Sequence, residues 1–521
     1  MVSYPRVTTP DGERNCRDKI KTVEDLAVIL AGLKASGATV AHCHGTFDLM
    51  HPGHIRHIAE ARRQAGILVV TITADRFINK GPGRPIFNEG LRAESLASLE
   101  MVDFVAILPH PTAIEGIRLL KPDVYIKGSE YIHPGNDLTG KIHDEVENVH
   151  AVGGRVHYTD DITFSSSKLI NSHFSFFSPE TEQWLKEFRS RHSGDAVGEW
   201  LNKLAGFKVL VIGETIIDEY VFCHGLGKAA KDPILAFNYK TTETYAGGSL
   251  AVANHVAGFT NEISIVTLLG DTERREEFIR SALKPHVTLN AVTQKSAPTL
   301  HKRRFVDDHT GNKMFELYMM EDGPLAEESE AALLTALERE LPLADVVIVP
   351  DYGHGMLTRK AVELICAKAK FLVVNTQANA GNRGFNLISK YRRADYVCIA
   401  GHELELETRM LNATYREHLE AIGQRMDCPN FTITMGRAGT LHFTRGQGFT
   451  EAPAFATKVV DRVGAGDAVL SVTGMLLAAG APWDVIGLVA NVAGAEMVGD
   501  LGNRVSLDKG RLAKHIASLL K

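Results

Sequence analysis

Cysteine is scarce in this 521-residue chain: six residues, Cys16, Cys43, Cys223, Cys366, Cys398 and Cys428, lie far apart. None falls in a C-x-x-C spacing, which argues against a disulfide framework and against a thiolate zinc site, and fits reduced thiols in a cytoplasmic protein. An excess of one charge sign is also missing. The formal net charge of -6 gives no electrostatic case for nucleic acid or an anionic membrane as partner. The most apolar stretch, 469–498, is broken by Pro482, Asp484 and several glycines, so it reads as buried helices and not as a membrane span. The opening MVSYPRVTTPDGERNCRDKI has no apolar centre and does not read as a secretory signal. No short repeat and no low-complexity segment is present. What remains is a globular composition, 44% hydrophobic and 23% charged, on a chain too long for one ordinary core. Two domains are expected.

Short β-rich runs alternate with amphipathic helical stretches, twice over. In the first half the runs are 39–42, 67–72, 102–108, 124–126 and 155–158. Between them lie stretches such as TVEDLAVILAGLKASG, in which Thr22 is placed to cap a helix and Asp25 to complete a capping box. Alternation of this kind predicts a doubly wound parallel sheet with its ligand at the carboxyl ends of the strands. The charged stretch 178–206 carries two of the three tryptophans, Trp184 and Trp200, and reads as a helical connector. A second α/β series starts at KVLVIGE and runs through ISIVTLLGD, ADVVIVPDYG, FLVVNT, DYVCIA and FTITMG into a glycine-rich helical C-terminus. The expected organisation is 1–177, a connector at 178–206, and 207–521.

The first chemical constellation is HGTFDLMHPGH, His44 to His54. Proline suits the first position of a helix, so a helix is expected to start near Pro52 with His51 and His54 on its first turn. Free N–H groups and the helix dipole there attract anions, two imidazoles add to the site, and Gly45 and Gly53 allow close approach. Zinc is the competing reading, since His42, His44, His51, His54 and His57 are dense; but no cysteine and no H-E-x-x-H spacing accompany them.

GTFDLMHPGH resembles the G-x-F-D-x-x-H-x-G-H signature of cytidylyltransferase-like nucleotidyltransferases. Further motifs follow in that family's order: KGPGRPIFNEGLR at 80–92, KPDVYIKGSEY at 121–131 and TFSSSKLI at 163–170. The resemblance implies in-line attack of a phosphate oxygen on the α-phosphorus of a nucleoside triphosphate, with pyrophosphate leaving and Mg²⁺ assisting. It implies His51, His54, Lys80 and Arg92 as the catalytic groups. Gly45, Thr46, Phe47, Asp48, Gly53, Lys127, Gly128, Ser165, Ser166 and Ser167 would bind nucleotide and phosphate.

The second constellation is DRVGAGDAVLS, Asp461 to Ser471. Glycines before a helical run leave free N–H groups as an anion hole, and Asp467 stands one residue on, where it can take a hydroxyl proton during phosphoryl transfer. The string resembles the D-x-x-G-A-G-D signature of ribokinase-like (PfkB) sugar kinases. VIGETIIDEY, YAGGSLAVAN, TLHKRRF, DYGHGMLT, TMGRAGTL and NVAGAEMVGDLGN follow that family's order. The resemblance implies Asp467 as base and Gly436, Gly439, Gly464, Ala465, Gly466 and Asn491 around the nucleotide. Asp218, Gly247, Gly248, Asn254, Lys302 and Asp351 would bind sugar, and Glu403 would bind Mg²⁺. The family pattern is changed at Ala251, at His354, at Ala400 and at NTQA, 375–378.

Together the halves resemble the bifunctional heptose-7-phosphate kinase/heptose-1-phosphate adenylyltransferases of ADP-heptose synthesis, with the domain order reversed. That resemblance implies a cytoplasmic homodimer acting on sugar phosphates, with ATP, or CTP in its place, as co-substrate. Two other readings stay open. One is a polyol-phosphate cytidylyltransferase fused to a diverged sugar kinase. The other is a nucleotidyltransferase carrying a non-catalytic, sugar-sensing kinase-like module.

Overall fold

The computed structural model describes residues 15–78, 84–128, 141–159 and 177–520. The chain divides into two compact units, the first formed by Met1–Phe176 with Ala517–Lys521 and the second by Phe177–Ile516.

The first unit is a six-stranded parallel sheet. Its strands are β1 (Ile20–Lys21), β2 (Val40–Gly45), β3 (Ile67–Thr73), β4 (Phe104–Leu108), β5 (Val124–Gly128) and β6 (Arg155–Thr159), in the order β1-β4-β3-β2-β5-β6. Strands β2 to β6 fall on the expected apolar runs. They are parallel because each of β2 to β5 is followed by a helix that carries the chain back across the sheet. The order turns at β2, which lies between β3 and β5, and such a switch point opens a crevice at the carboxyl ends of the strands. Thr22 caps the helix Val23–Ala35 by accepting the Asp25 N–H at 3.1 Å. Among the described residues no bond returns from the Asp25 carboxylate, so half of the expected capping box forms.

The second unit has two sheets. The larger has nine strands in the order β11-β10-β7-β14-β15-β16-β17-β18-β19. These are β7 (Val209–Ile212), β10 (Ile263–Thr272), β11 (Val287–Pro298), β14 (Val346–Asp351), β15 (Leu372–Thr376), β16 (Tyr396–Ala400), β17 (Asn430–Thr434), β18 (Thr440–Thr444) and β19 (Gly448–Ala452). All pair in parallel up to β17, and β17, β18 and β19 pair antiparallel. The smaller sheet, order β13-β12-β8-β9, is built from β8 (Thr215–Lys228), β9 (Leu235–Gly248), β12 (His301–Asp307) and β13 (Lys313–Met319). It was not expected from the sequence.

One device recurs in both units. An aspartate just before a strand accepts a backbone N–H at the start of the neighbouring strand. Asp123 takes Val40 N at 2.7 Å, Asp103 takes Leu68 N at 2.8 Å, and Asp395 takes Leu372 N at 2.7 Å. Each bond adds a charge-assisted tie at the start of a strand pair and reinforces the register that the backbone ladder sets.

The stretch read as a connector forms two helices, Pro179–Arg191 and Gly194–Lys203, within the second unit. Trp184 Nε1 donates to the Glu451 carbonyl at 3.0 Å, its ring lies 6.0 Å from Phe455, and Arg191 and His192 both engage Asp484. All six cysteines are unbridged. Among the described residues no helix is long and apolar enough to cross a membrane.

Candidate active sites

In the first unit β2 delivers HGTFDLMHPGH to the switch point. His42 and His44 both reach Thr71 on β3, at 2.8 and 2.9 Å to its Oγ1, and His44 also meets Thr73 at 3.2 Å. Burial drives the His42 imidazole down to about 3, so it is a neutral core group. Gly45 has a specific reason: a Cβ there would lie 2.9 Å from the Phe47 ring, which folds back over the turn with φ of 47°. Asp48 accepts the N–H groups of Ile86 and Phe87 at 2.8 and 3.1 Å, and so ties the signature turn to the loop ahead of the helix Glu89–Ala97.

The helix expected near Pro52 spans Pro52–Arg63, with Gly53 at its second position. His51 is its N-cap, and its Nδ1 accepts the His54 N–H at 3.3 Å. The two rings stack with centroids 3.8 Å apart. Burial holds the His51 imidazole below its ordinary value. The structure thus brings both signature histidines to one helix start. At the carboxyl end of β5, Lys127 pairs with Glu145 at 2.6 Å, and Gly128 sits opposite Thr159 on β6. Lys80, Ser165, Ser166 and Ser167 lie outside the described residues.

Arg92 is corrected by the structure. Its side chain is buried, and its guanidinium donates to the carbonyls of Phe87, Thr46 and Thr73 and to Asp75 Oδ1 at 2.6 Å. A guanidinium so engaged clamps the signature turn from behind and has no face left for phosphate.

In the second unit a cavity of about 590 Å³ lies where the smaller sheet meets the carboxyl ends of the larger. Asp218, Lys302 and Arg304 reach it from β8 and β12. Tyr352 and Gln377 reach it from just beyond β14 and β15, and Gly464, Gly466 and Asp467 from the start of the helix Ala465–Ala478. Gly464 is the N-cap, with φ of 82°; a Cβ there would stand 2.1 Å from Asn503 Oδ1. Asn503 in turn donates to Asp218 Oδ2 at 3.3 Å. Ala465 opens the helix without lining the cavity.

Asp467 stands on the first turn of this helix, and its Oδ1 accepts the Tyr352 hydroxyl at 2.8 Å. Burial raises its carboxyl to about 7, with Asp218 and Glu403 adding to the rise and Tyr352 and Lys302 opposing it. Asp218 pairs with Arg304. Gly247 makes room for it, since a Cβ there would overlap its carboxylate at 2.1 Å. Gly248, at φ of 56°, turns β9 into the helix Ser249–Val256. Lys302 is buried, its ammonium 4.7 Å from the Tyr318 ring centroid, and burial lowers its pKa.

Four expected site residues of this unit are placed elsewhere. Asn254 ties its helix to the next loop, donating to Ala282 O at 2.8 Å and accepting Lys284 N at 2.9 Å. Asp351 is fully buried and spends its carboxylate on Tyr391, Lys390, Asn386 and the Gly353 N–H. Asn491 donates to Thr440 Oγ1, Ala452 O and Gly487 O, which fastens the helix Trp483–Met497 to β18 and β19. Glu403 accepts the N–H groups of Ala378 and Ala400, both at 2.9 Å, so the expected metal ligand works as a helix cap. Gly436 and Gly439 shape the β17–β18 turn at φ of 59° and 94°, away from the cavity lining.

Asp461, Arg304 and Tyr352 were missed as site residues, although all three stand inside quoted motifs. Asp461 accepts from Lys313 at 2.7 Å, Gly502 N at 3.1 Å, Val463 N at 3.2 Å and Tyr220 at 3.3 Å, pinning the glycine loop. Burial works against its charge, and Lys313 with the two N–H groups outweighs burial and holds the carboxyl below its usual value.

The family model of pfkB carbohydrate kinases matches residues 207–510, which contain the whole cavity. The chain belongs to the pfkB family. Ahead of this pfkB segment, the cytidylyltransferase-like family model matches residues 42–181, starting on β2. Curated relatives of this pfkB chain include the bifunctional protein HldE of Bradyrhizobium diazoefficiens, 28% identical over 307 residues, which is 58% of this chain and 61% of that one. The protein of the same name from Rhodopseudomonas palustris strain TIE-1 is 30% identical over 58% of this chain and 62% of its own. That from Aliarcobacter butzleri is 39% identical over 27% of this chain and 30% of its own. The chain thus spans about three-fifths or less of the length of each of these relatives.

Proposed function

We propose that the protein phosphorylates a sugar phosphate of the heptose 7-phosphate kind with ATP in its second unit, and in its first transfers a nucleotidyl group to a sugar 1-phosphate. The products of the second reaction are a nucleoside diphosphate sugar and pyrophosphate. The observation that carries this reading is the cavity itself: Asp467, the glycine loop before its helix, and the Asp218–Lys302–Arg304 group line one space. A carboxylate that titrates near neutrality is suited to take a proton from a sugar hydroxyl. The N–H groups at residues 464–466 sit where phosphate charge develops.

In the kinase step the sugar hydroxyl oxygen attacks the γ-phosphorus of ATP, its proton passes to Asp467, and ADP leaves with the electrons of the broken P–O bond. Asp218 orients sugar hydroxyls, and Lys302 faces the phosphate charge. In the nucleotidyl step a sugar 1-phosphate oxygen attacks the α-phosphorus, and His51 and His54 at the helix start stabilise the departing pyrophosphate. Mg²⁺ would enter with each triphosphate and neutralise phosphate charge, as this ion commonly binds through substrate phosphates and few protein groups. Among the described residues no group of three or more His, Cys, Asp or Glu is placed to hold a metal, which fits an ion carried by the nucleotide and not a protein cage. Unbridged cysteines support work in the cytoplasm. Exposed Leu226, Ile234, Leu235 and Tyr239 on β8, β9 and their connection, with Phe315 and Leu317 on β13, support a homodimer through the smaller sheet.

The test is a mass-spectrometric screen of the purified chain with ATP and with CTP against heptose, hexose and pentose phosphates. The expected result is ADP formation with a heptose 7-phosphate and pyrophosphate release with a heptose 1-phosphate. With polyol phosphates added to the same screen, formation of a CDP-polyol from CTP, with no turnover of any sugar phosphate, would overturn it.

A further inference from the structure

Tyr352 stands one residue beyond β14 and is 2% exposed. Its backbone is held from two sides. The N–H donates to Glu214 Oε2 at 3.2 Å, and the carbonyl accepts the side-chain amides of Asn379 at 2.7 Å and Asn382 at 2.9 Å. Glu214 also accepts the His354 N–H at 3.0 Å, which fixes the next residues of the turn. The phenol therefore reaches Asp467 from a rigid base, although the two residues are 115 positions apart in the chain.

The direction of this hydrogen bond is set. Burial first, and the Asp467 charge second, keep the phenol protonated well above the ordinary tyrosine range, so whenever Asp467 is ionised Tyr352 is the donor and Asp467 Oδ1 the acceptor. Three other groups act on the Asp467 carboxyl through charge. Asp218 from β8 and Glu403 from the helix Gly401–Thr408 oppose its ionisation, and Lys302 from β12 favours it. Among the described residues only Tyr352 donates a hydrogen bond to that carboxylate, and Oδ2 is left for an acceptor hydroxyl.

We infer that Tyr352 is a positioning residue of the kinase site: its hydroxyl fixes the rotamer of Asp467 and favours the carboxylate over the acid, so that Oδ2 meets the sugar hydroxyl as a ready base. This rests on the kinase reading above. The proton taken from the sugar goes to Oδ2, and the tyrosine proton stays in place throughout. Because the turn is held by backbone and neighbouring side chains, Tyr352→Phe removes the donor and leaves the scaffold.

Two readouts on the full chain test it. In a ¹³C NMR titration of the Asp467 carboxyl, assigned with Asp467→Asn, Tyr352→Phe should move the midpoint up by about one pH unit or more, the size expected for a lost hydrogen bond to a charged group. With ATP and heptose 7-phosphate, kcat at pH 7 should fall about tenfold, KM for the sugar should change far less, and raising the pH should restore much of the rate. An unmoved midpoint overturns the inference, as does a raised KM at unchanged kcat, which would make Tyr352 a substrate contact. If Asp467→Asn still phosphorylates the sugar, the kinase reading fails, and the NMR titration then decides the tyrosine's effect on its own.

Discussion

Asp467, the proposed base of the kinase step, also carries a stability cost. Its carboxyl titrates at about 7 in the folded chain against an ordinary 3.8, so the native state holds a proton that the unfolded chain has already lost across that window. Stability therefore falls as pH rises from about 4 to about 7, and kinase activity rises over the upper part of the same window. Asp467→Asn should be more stable than the parent at pH 8, on the order of 1–3 kcal/mol. The gain should vanish below pH 4, as urea melts at the two pH values would show. Arg92 is the opposite case, a buried charge whose guanidinium is engaged by Asp75 and three backbone carbonyls. Arg92→Ala leaves Asp75 and three carbonyls without their donor, at a cost of about 2–4 kcal/mol. Melting should show the first unit destabilised, with kinase turnover of the second retained. Asp467 was legible because one short motif places it on a helix start. Arg92 was not, because its partners at 46, 73, 75 and 87 come together only in the fold. Asp351, Asn254 and Asn491 were misread for the same reason: a polar residue inside a motif looks the same whether it faces a ligand or a carbonyl.

At the scale of elements, central parallel strands such as β3, β7 and β14 were legible because they are buried on both faces and appear as unbroken apolar runs, whereas the half-exposed edge strands β1 and β11 were not among the expected runs. The smaller sheet was not, because β8, β9, β12 and β13 scatter polar and charged residues among apolar ones without a clean alternation, and much of β9 and β13 is exposed. The aspartates that cap neighbouring strands were also missed, although each stands directly before an apolar run: MVDFVAIL, KPDVYIKG and RRADYVCIA. Asp395→Ala should cost about 1–3 kcal/mol by leaving the Leu372 N–H unpaired, measurable by urea denaturation of the second unit. Gly464→Ala combines a positive φ with a clash on Asn503. It should cost about 1–2 kcal/mol and reduce kinase kcat by at least about tenfold, while nucleotidyl transfer is unchanged.

At the scale of the molecule, each unit has its own sheet and its own helix N-terminus beside the strand ends, and each is proposed to hold its own phosphate chemistry. His51 and His54 stack at the first; Asp467 and its glycine loop line the cavity of the second. Two units could be read from length and from the restart of the α/β pattern at KVLVIGE. The assignment of the 178–206 helices could not, since their partners Glu451, Phe455 and Asp484 lie some 270–290 residues further on. The central claim is that the two activities belong to separate sites, and a crossed pair of single variants measures it most directly. Asp467→Asn should abolish ATP-dependent sugar phosphorylation and leave pyrophosphate release intact, and His54→Ala should do the reverse. If either variant, still folded, loses both activities, the two-site assignment is wrong.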